Sequence, residues 1–317
     1  MRGSLFNPVG RYLALVLAPY YKEASSHVSN SLGVKRRLSS AFESFPQAIM
    51  GSYDVISLFT RVPIHEAMEV VAHFLRNDPD LESRTRIDIK TLCDLIEFCL
   101  TSCYFLFRST FYVQHDGVAM GSNIGCVIAN IYMRFFEEMA LARAPQLDLP
   151  LPLLWLRYVD DVIALFHNES HFIEFLSLLN SLRSSIQFTH ETESDGQLPF
   201  LDLLIKKTEN GVVFGVYRKP THTDLYVKRD SCHPTGVFKG LVIGLKKRAL
   251  SLCSAQELPT ELGHIRKVLK ENGYKNKDVH LLSSRVEKVP TSLQKELAFH
   301  TFPVFLKEFP GVLKNRD

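Results

Sequence analysis

Three carboxylates stand where carboxylates are costly. Asp54 interrupts the apolar run Ala48–Phe59, and Asp160 and Asp161 sit side by side within Leu153–Phe166, a stretch that is otherwise almost wholly apolar. An Asp-Asp pair by itself is most often a solvated turn. Flanking residues that must be buried change that reading, because a charge beside a low-dielectric sheet is unfavourable unless something compensates it. Three carboxylates converging at strand ends would repel one another unless divalent cations joined them, and hard oxygen ligands favour Mg²⁺ or Mn²⁺. Two such ions lower the barrier to phosphoryl transfer, one by activating a hydroxyl nucleophile and the other by holding a triphosphate and stabilising the departing pyrophosphate.

The elements that must position these groups can be read from periodicity and punctuation. Residues 48–59 have the content of a short buried strand. The run Leu153–Phe166 predicts a tight hairpin with Asp160 and Asp161 at its tip. Helices are expected within Asn7–Arg37, from Pro63 through Phe74, over Asp88–Cys103, over Cys126–Arg143 and over Glu169–Ser184. Two short aromatic segments, Tyr104–Phe107 and Phe111–Gln114, predict a hairpin across Arg108–Thr110. Further strands are expected near 187–191, 200–206 and 212–217, the last two joined by Asn210-Gly211. From Pro234 onward the pattern is helical and basic. Hairpins interspersed with helices, rather than strict alternation of strand and helix, indicate an α+β fold.

The 317 residues are 46% hydrophobic and 22% charged, enough to bury a sizeable core and unlike a disordered chain. The net charge is only +3, but it is unevenly spread. Lys206–Asp317 holds 21 Lys and Arg against 11 Asp and Glu, and the preceding part holds 16 against 23. A basic C-terminal part after an acidic centre suits a protein that grips phosphates with one and holds cations with the other. The six cysteines show neither a CxxC pair nor zinc-ligand spacing, so reduced thiols are expected. His222 and His233 are assigned to no metal. Neither a secretory signal nor an apolar run long enough to span a bilayer is evident, so a soluble intracellular protein is expected, with no membrane partner.

Three segments carry a family resemblance. Tyr53–Thr60, Gly117–Ser122 and Tyr158–Asp161 resemble, in order and spacing, motifs A, B and C of reverse transcriptases. The wording is closest to the Penelope-like retroelement group, which also uses segments like Leu198–Asp202 and Tyr217–Thr221 here. The resemblance covers almost the whole chain. It implies a polymerase palm, an antiparallel sheet backed by helices, followed by a mainly helical basic thumb. It divides the chain into 1–47, a remnant of the fingers leading into the palm, 48–232, the palm, and 233–317, the thumb-like region.

By that resemblance the chain is an RNA-directed DNA polymerase of a retrotransposon, acting in the nucleus on deoxynucleoside triphosphates and an RNA or DNA template with its primer. Asp54 and Asp160 would bind two Mg²⁺ or Mn²⁺ ions, Asp161 would assist, and the Val55 carbonyl would complete one coordination shell. Phe59 would be the steric gate against a 2′-hydroxyl. Met120, Gly121, Ser122 and Tyr158 would contact the nucleotide. Arg218, Lys219, Lys246, Lys247 and Arg248, with Lys206, Lys207 and Lys228 nearby, would meet nucleic acid, and Arg218 or Lys219 could instead supply a proton. The chain departs from the family where Asn123, Gly125 and Cys126 stand in place of a proline-bearing stretch, which loosens that loop. Most of the fingers and a GIY-YIG endonuclease are expected to be missing. Two other readings are an inactive remnant that still binds nucleic acid and a metal-dependent phosphodiesterase. The latter would need a water-activating base that the sequence does not offer.

Overall fold

A four-stranded antiparallel sheet lies at the centre of the protein in a computed structural model that describes residues 7–209 and 211–282. Helices α1 (Asn7–Leu17), α2 (Pro19–Lys22) and α3 (Ser31–Ser44) lead into β1 (Ile49–Val55). Then come α4 (Leu58–Arg61), α5 (Ile64–Arg76), α6 (Leu81–Arg84), α7 (Ile89–Thr101) and a separate hairpin of β2 (Tyr104–Phe107) and β3 (Thr110–Val113). Helix α8 (Gly125–Arg143) precedes β4 (Leu154–Tyr158) and β5 (Asp161–Phe166), and α9 (Glu169–Leu182) precedes β6 (Phe188–Thr192). A three-stranded sheet of β7 (Gln197–Phe200), β8 (Leu203–Thr208) and β9 (Gly211–Val216) follows, and then α10 (Thr235–Leu252), α11 (Leu258–Glu271) and α12 (Asn276–Val279).

The central order is β4-β5-β1-β6, with β1 antiparallel to both of its neighbours. Both faces are covered, which is why β5 reads as a continuous apolar run rather than an alternating one. On one face Tyr53, Trp155, Val162, Ala164 and Phe166 pack with Phe136 of α8 and with Phe172 and Phe175 of α9. On the other, Met50, Leu156, Ile163 and Leu165 pack with Leu38 and Phe42 of α3 and with Leu203, Ile205 and Phe214 of the second sheet. Burying each such side chain contributes about 1.5–3 kcal/mol. Gly51 is needed in β1, because a Cβ there would lie 2.1 Å from the ring of Phe172. That ring stacks on Tyr53 at 4.2 Å and 4°.

The mixed helix and antiparallel sheet agree with the expected α+β class. Four local expectations are corrected. Asn7–Arg37 is broken by Pro19 and by residues 26–28, whose backbone bonds to Arg157 of β4. The strand expected to reach Phe59 ends at Val55, and Phe59 belongs to α4. The strand expected over 200–206 is two strands, turned at Leu201, whose φ is +52°. The hairpin tip expected at Asp160 and Asp161 is Val159-Asp160, with Asp161 opening β5. The helical pattern expected from Pro234 is present in α10, α11 and α12, while residues 283–317 fall outside the described residues, as does Asn210 of the expected turn.

Two compact units are present. The first runs to Thr223 and includes Lys247–Gly263; the second is formed by Asp224–Lys246 with the described residues 264–282. In the second unit Phe238 meets Tyr274 edge-on, the Tyr274 hydroxyl donates to the Val227 carbonyl at 2.9 Å, and Arg229 lies over Phe238 while pairing with Asp278. Among the described residues no helix is long and apolar enough to cross a membrane.

Candidate active site

Strand pairing brings the first two carboxylates together. Asp54 is the register partner of Asp161 across β1 and β5, and both share the side-chain parity of Met50 and Ile163, so they lie on the second-sheet side. Asp160 sits in the two-residue turn Val159-Asp160 between β4 and β5. The Val55 amide donates to the Asp160 carbonyl at 3.2 Å, which fixes the turn against β1. Val159 has φ +58°, a left-handed conformation that is an outlier for a β-branched residue.

The electrostatics follow from this crowding. Burial, and then the charge of Asp160, raise the carboxyl pKa of Asp54, while Lys219 opposes the rise. Asp161 is pushed up to about 6 by burial, then by Asp160 and Asp54, again against Lys219. Each shift says that negative charge here is under-compensated by the protein. A cavity of about 370 Å³ opens at this point, lined by Asp54, Asp161, Thr189, Phe200, Tyr217 and Lys219 among others. That volume is at the small end for a ligand site.

Among the described residues no group of three or more His, Cys, Asp or Glu side chains is gathered to hold a metal by itself. Mg²⁺, however, is commonly held by one or two carboxylates with waters and substrate phosphates completing its shell, not by an all-protein cage. The Asp54–Asp161 pair, acid-only and under-compensated, fits that mode.

The other predicted residues separate into two groups. Phe59 is half-buried on α4, and its carbonyl accepts from the Val118 amide at 2.6 Å. Gly117 makes this approach feasible: its φ is +70°, and a Cβ would lie 2.5 Å from the Phe59 carbonyl oxygen. The loop holding Met120, Gly121 and Ser122 is thereby sewn to the segment after Asp54. Met120 is 72% exposed, Gly121 has φ +82° in open space, and Ser122 is buried. Gly125, one of the departures from the family pattern, admits the Ala119 carbonyl, which a Cβ would meet at 2.8 Å. Tyr158, 37% exposed, is the register partner of Asp161. Val55 is buried.

The basic residues do not form one surface. Of those singled out from the sequence, Lys219 lines the cavity. Arg218 is engaged by Glu261 through two bonds of 2.6 and 2.8 Å. Lys206 pairs with Glu257, Lys207 with Glu193, and Arg248 with Asp202. Lys246 is only 6% exposed, which corrects the expectation that its charge is presented to phosphates. Lys247 is half-buried and Lys228 exposed.

Sequence reasoning missed Arg157. Its guanidinium is fully buried, with Nε donating to Glu137 Oε1 at 2.8 Å and Nη1 to Asn130 Oδ1 at 2.7 Å. The signal was present: a charge inside an apolar strand, the feature that singled out Asp54.

A model of the animal helix-turn-helix domain family matches residues 225–280. No curated protein matches by sequence. Among solved structures, telomerase from Candida albicans in complex with a TWJ fragment of telomeric RNA superposes with a TM-score of 0.59 at 16% identity, covering 89% of this chain and 48% of that one. Apo telomerase from Candida tropicalis gives 0.52 at 16%, covering 93% and 52%. An RNA polymerase complex inside a double-stranded RNA virus gives 0.52 at 12%, covering 83% and 24%. The chain spans about half the length of the telomerases it matches. At these identities the likeness is one of fold, and that fold is polymerase-like.

Proposed function

We propose that this chain is the core of an RNA-directed DNA polymerase, of the Penelope-like retroelement kind, that transfers a nucleotide to a primer 3′-hydroxyl. The observation that carries this reading is the pairing of Asp54 with Asp161 beside Asp160, under-compensated in charge and opening on a cavity, within a polymerase-like fold. Two Mg²⁺ or Mn²⁺ ions, when bound, would activate the hydroxyl and stabilise the leaving pyrophosphate. Asp54, Asp160 and Asp161, with the Val55 carbonyl, would hold them. The protein's own part is position and charge. Lys219 faces the same cavity and supplies the positive charge that a primer terminus or phosphate meets there. Phe59, held by its carbonyl to the Val118 amide, would stand under the sugar and select deoxynucleotides. Met120, Gly121, Ser122 and Tyr158 would line the nucleotide's path.

The helix-turn-helix match over 225–280 supports duplex contact by the second unit. Lys228, Lys275 and Lys277 line a cavity of about 480 Å³ in that unit, together with the acidic Asp230, Glu271 and Asp278, so phosphate contact there would fall to the lysines. A second reading, an inactive remnant that binds nucleic acid, draws on the open setting of Met120 and Gly121.

Primer extension on an RNA template, with deoxynucleotides and Mg²⁺ or Mn²⁺, decides between them. Wild type should extend, and an Asp160→Asn, Asp161→Asn variant should fall by roughly 10³-fold or more, to background. Hybrid binding that weakens with salt, with extension by neither protein, would establish the remnant instead.

A further inference from the structure

We propose that Arg157 is the positioning residue of the carboxylate turn, holding from beneath the sheet the peptide that aims Asp160 and Asp161. This rests on reading those carboxylates as catalytic. Arg157 and the carboxylates lie on opposite faces of the sheet: Arg157 shares the parity of Trp155, and its guanidinium points into the α8 side. Besides Glu137 and Asn130 Oδ1, it donates to two backbone carbonyls, that of Asn130 through Nη2 at 3.3 Å and that of Val159 through Nη1 at 3.2 Å.

The second of these bonds gives the group its role. Val159 and Asp160 are the whole connection between β4 and β5. Both of their carbonyls are held: Val159 by the Arg157 guanidinium, and Asp160 by the Val55 amide at 3.2 Å. With both peptide planes fixed, the Cα of Asp160 between them has little freedom. The two-residue turn asks for a positive φ at Val159, a conformation disfavoured at a β-branched residue, and the guanidinium bond to its carbonyl helps to hold it there.

The clamp is itself anchored. Glu137 also accepts from Trp155 Nε1 and Ser26 Oγ, each at 2.8 Å, and Asn130 Nδ2 donates to the Cys126 carbonyl at 2.8 Å. The Arg157 backbone bonds to Ser26 and Val28 at 2.7 and 3.0 Å. A planar fork with several fixed donors suits this task, whereas the single ammonium of lysine cannot reach Glu137, Asn130 and Val159 together.

Two variants test the idea. Arg157→Lys keeps a cation beside Glu137, and the double variant Arg157→Met, Glu137→Met removes both buried charges so that neither is orphaned. Amide hydrogen exchange and Mn²⁺ titration are measured on each full chain. The expected result is exchange at 158–162 faster by about tenfold, with α5 and α9 unchanged, and a half-saturating Mn²⁺ concentration raised by about tenfold, as for loss of a group that orients a metal ligand. Unchanged exchange at 158–162 in a folded variant would overturn the proposal. So would equal acceleration in α5 and α9, or loss of the fold in both variants, since Arg157 would then be a general folding element. Local loosening in a protein whose wild type binds no Mn²⁺ and extends no primer would support the clamp and sink the polymerase reading.

Discussion

Two hairpins of this protein, β2–β3 and β4–β5, are close in length and rich in apolar and aromatic residues, yet β4–β5 is buried over most of its length and β2–β3 is exposed along all of it. In β2–β3 the turn residues Arg108 and Ser109 both have positive φ, as the two-residue turn of a well-formed hairpin requires. Phe105 stacks on Tyr112 at 5.5 Å, and Arg108 lies over Phe107. The hairpin is locally complete, and among the described residues no layer covers either of its faces. In β4–β5 the local turn is strained, and the surroundings are complete. Order at a hairpin therefore has two sources here, turn chemistry in one case and tertiary restraint in the other.

The largest expected effect that sharpens this contrast comes from Arg157→Met. It strands Glu137 as a buried charge and should lower stability by about 3–5 kcal/mol in urea unfolding. Next, Leu156→Ala, at a fully buried position of β4, should cost about 2–5 kcal/mol, read the same way. At the small end, Phe111→Ser on β3 should change stability by no more than about 0.5 kcal/mol. A loss as large as that of Leu156→Ala would break the comparison and reveal a hidden layer on the aromatic hairpin.

Between these lies a pH effect. Because the folded pKa of Asp161, about 6, exceeds its ordinary value, the folded state holds this proton more tightly than the unfolded state does. The stabilising contribution is complete below the unfolded pKa and is lost as pH rises through about 6. Without divalent cations, melting temperature should therefore fall from pH 5 to pH 7 more steeply in wild type than in Asp161→Asn. Added Mg²⁺ should flatten the wild-type curve, since a cation replaces the proton. Parallel curves for the two proteins would remove the electrostatic argument for the site.

What could be read from the sequence was what interrupts a pattern. Asp54 and the Asp160-Asp161 pair break apolar runs, and the helices starting at Ile64 and Ile89 have their expected signals in Pro63 and in the Asp88 cap. The short α4 was hidden because Leu58 and Phe59 continue the apolar character of β1 without a cap. The fates of Arg218 and Lys246 were hidden for another reason: a basic residue reads as a surface charge until its surroundings are known, and Glu261 is 43 residues from Arg218. Arg157 was overlooked because the two aspartates beside it took the whole explanation for charge in that strand.

The raised pKa values of Asp54 and Asp161 bear on the history of the chain as well as on its chemistry. Both carboxylates repel a neighbour and lose hydration, so Asn in either place should relieve that electrostatic cost. Most substitutions that drift can reach destabilise; these two are among the few that would do the opposite. In a lineage released from any demand for chemistry, such positions would be among the first to change without harm to the folded protein. A change at either position should therefore reach any chemistry at the site before it reaches the stability of the fold.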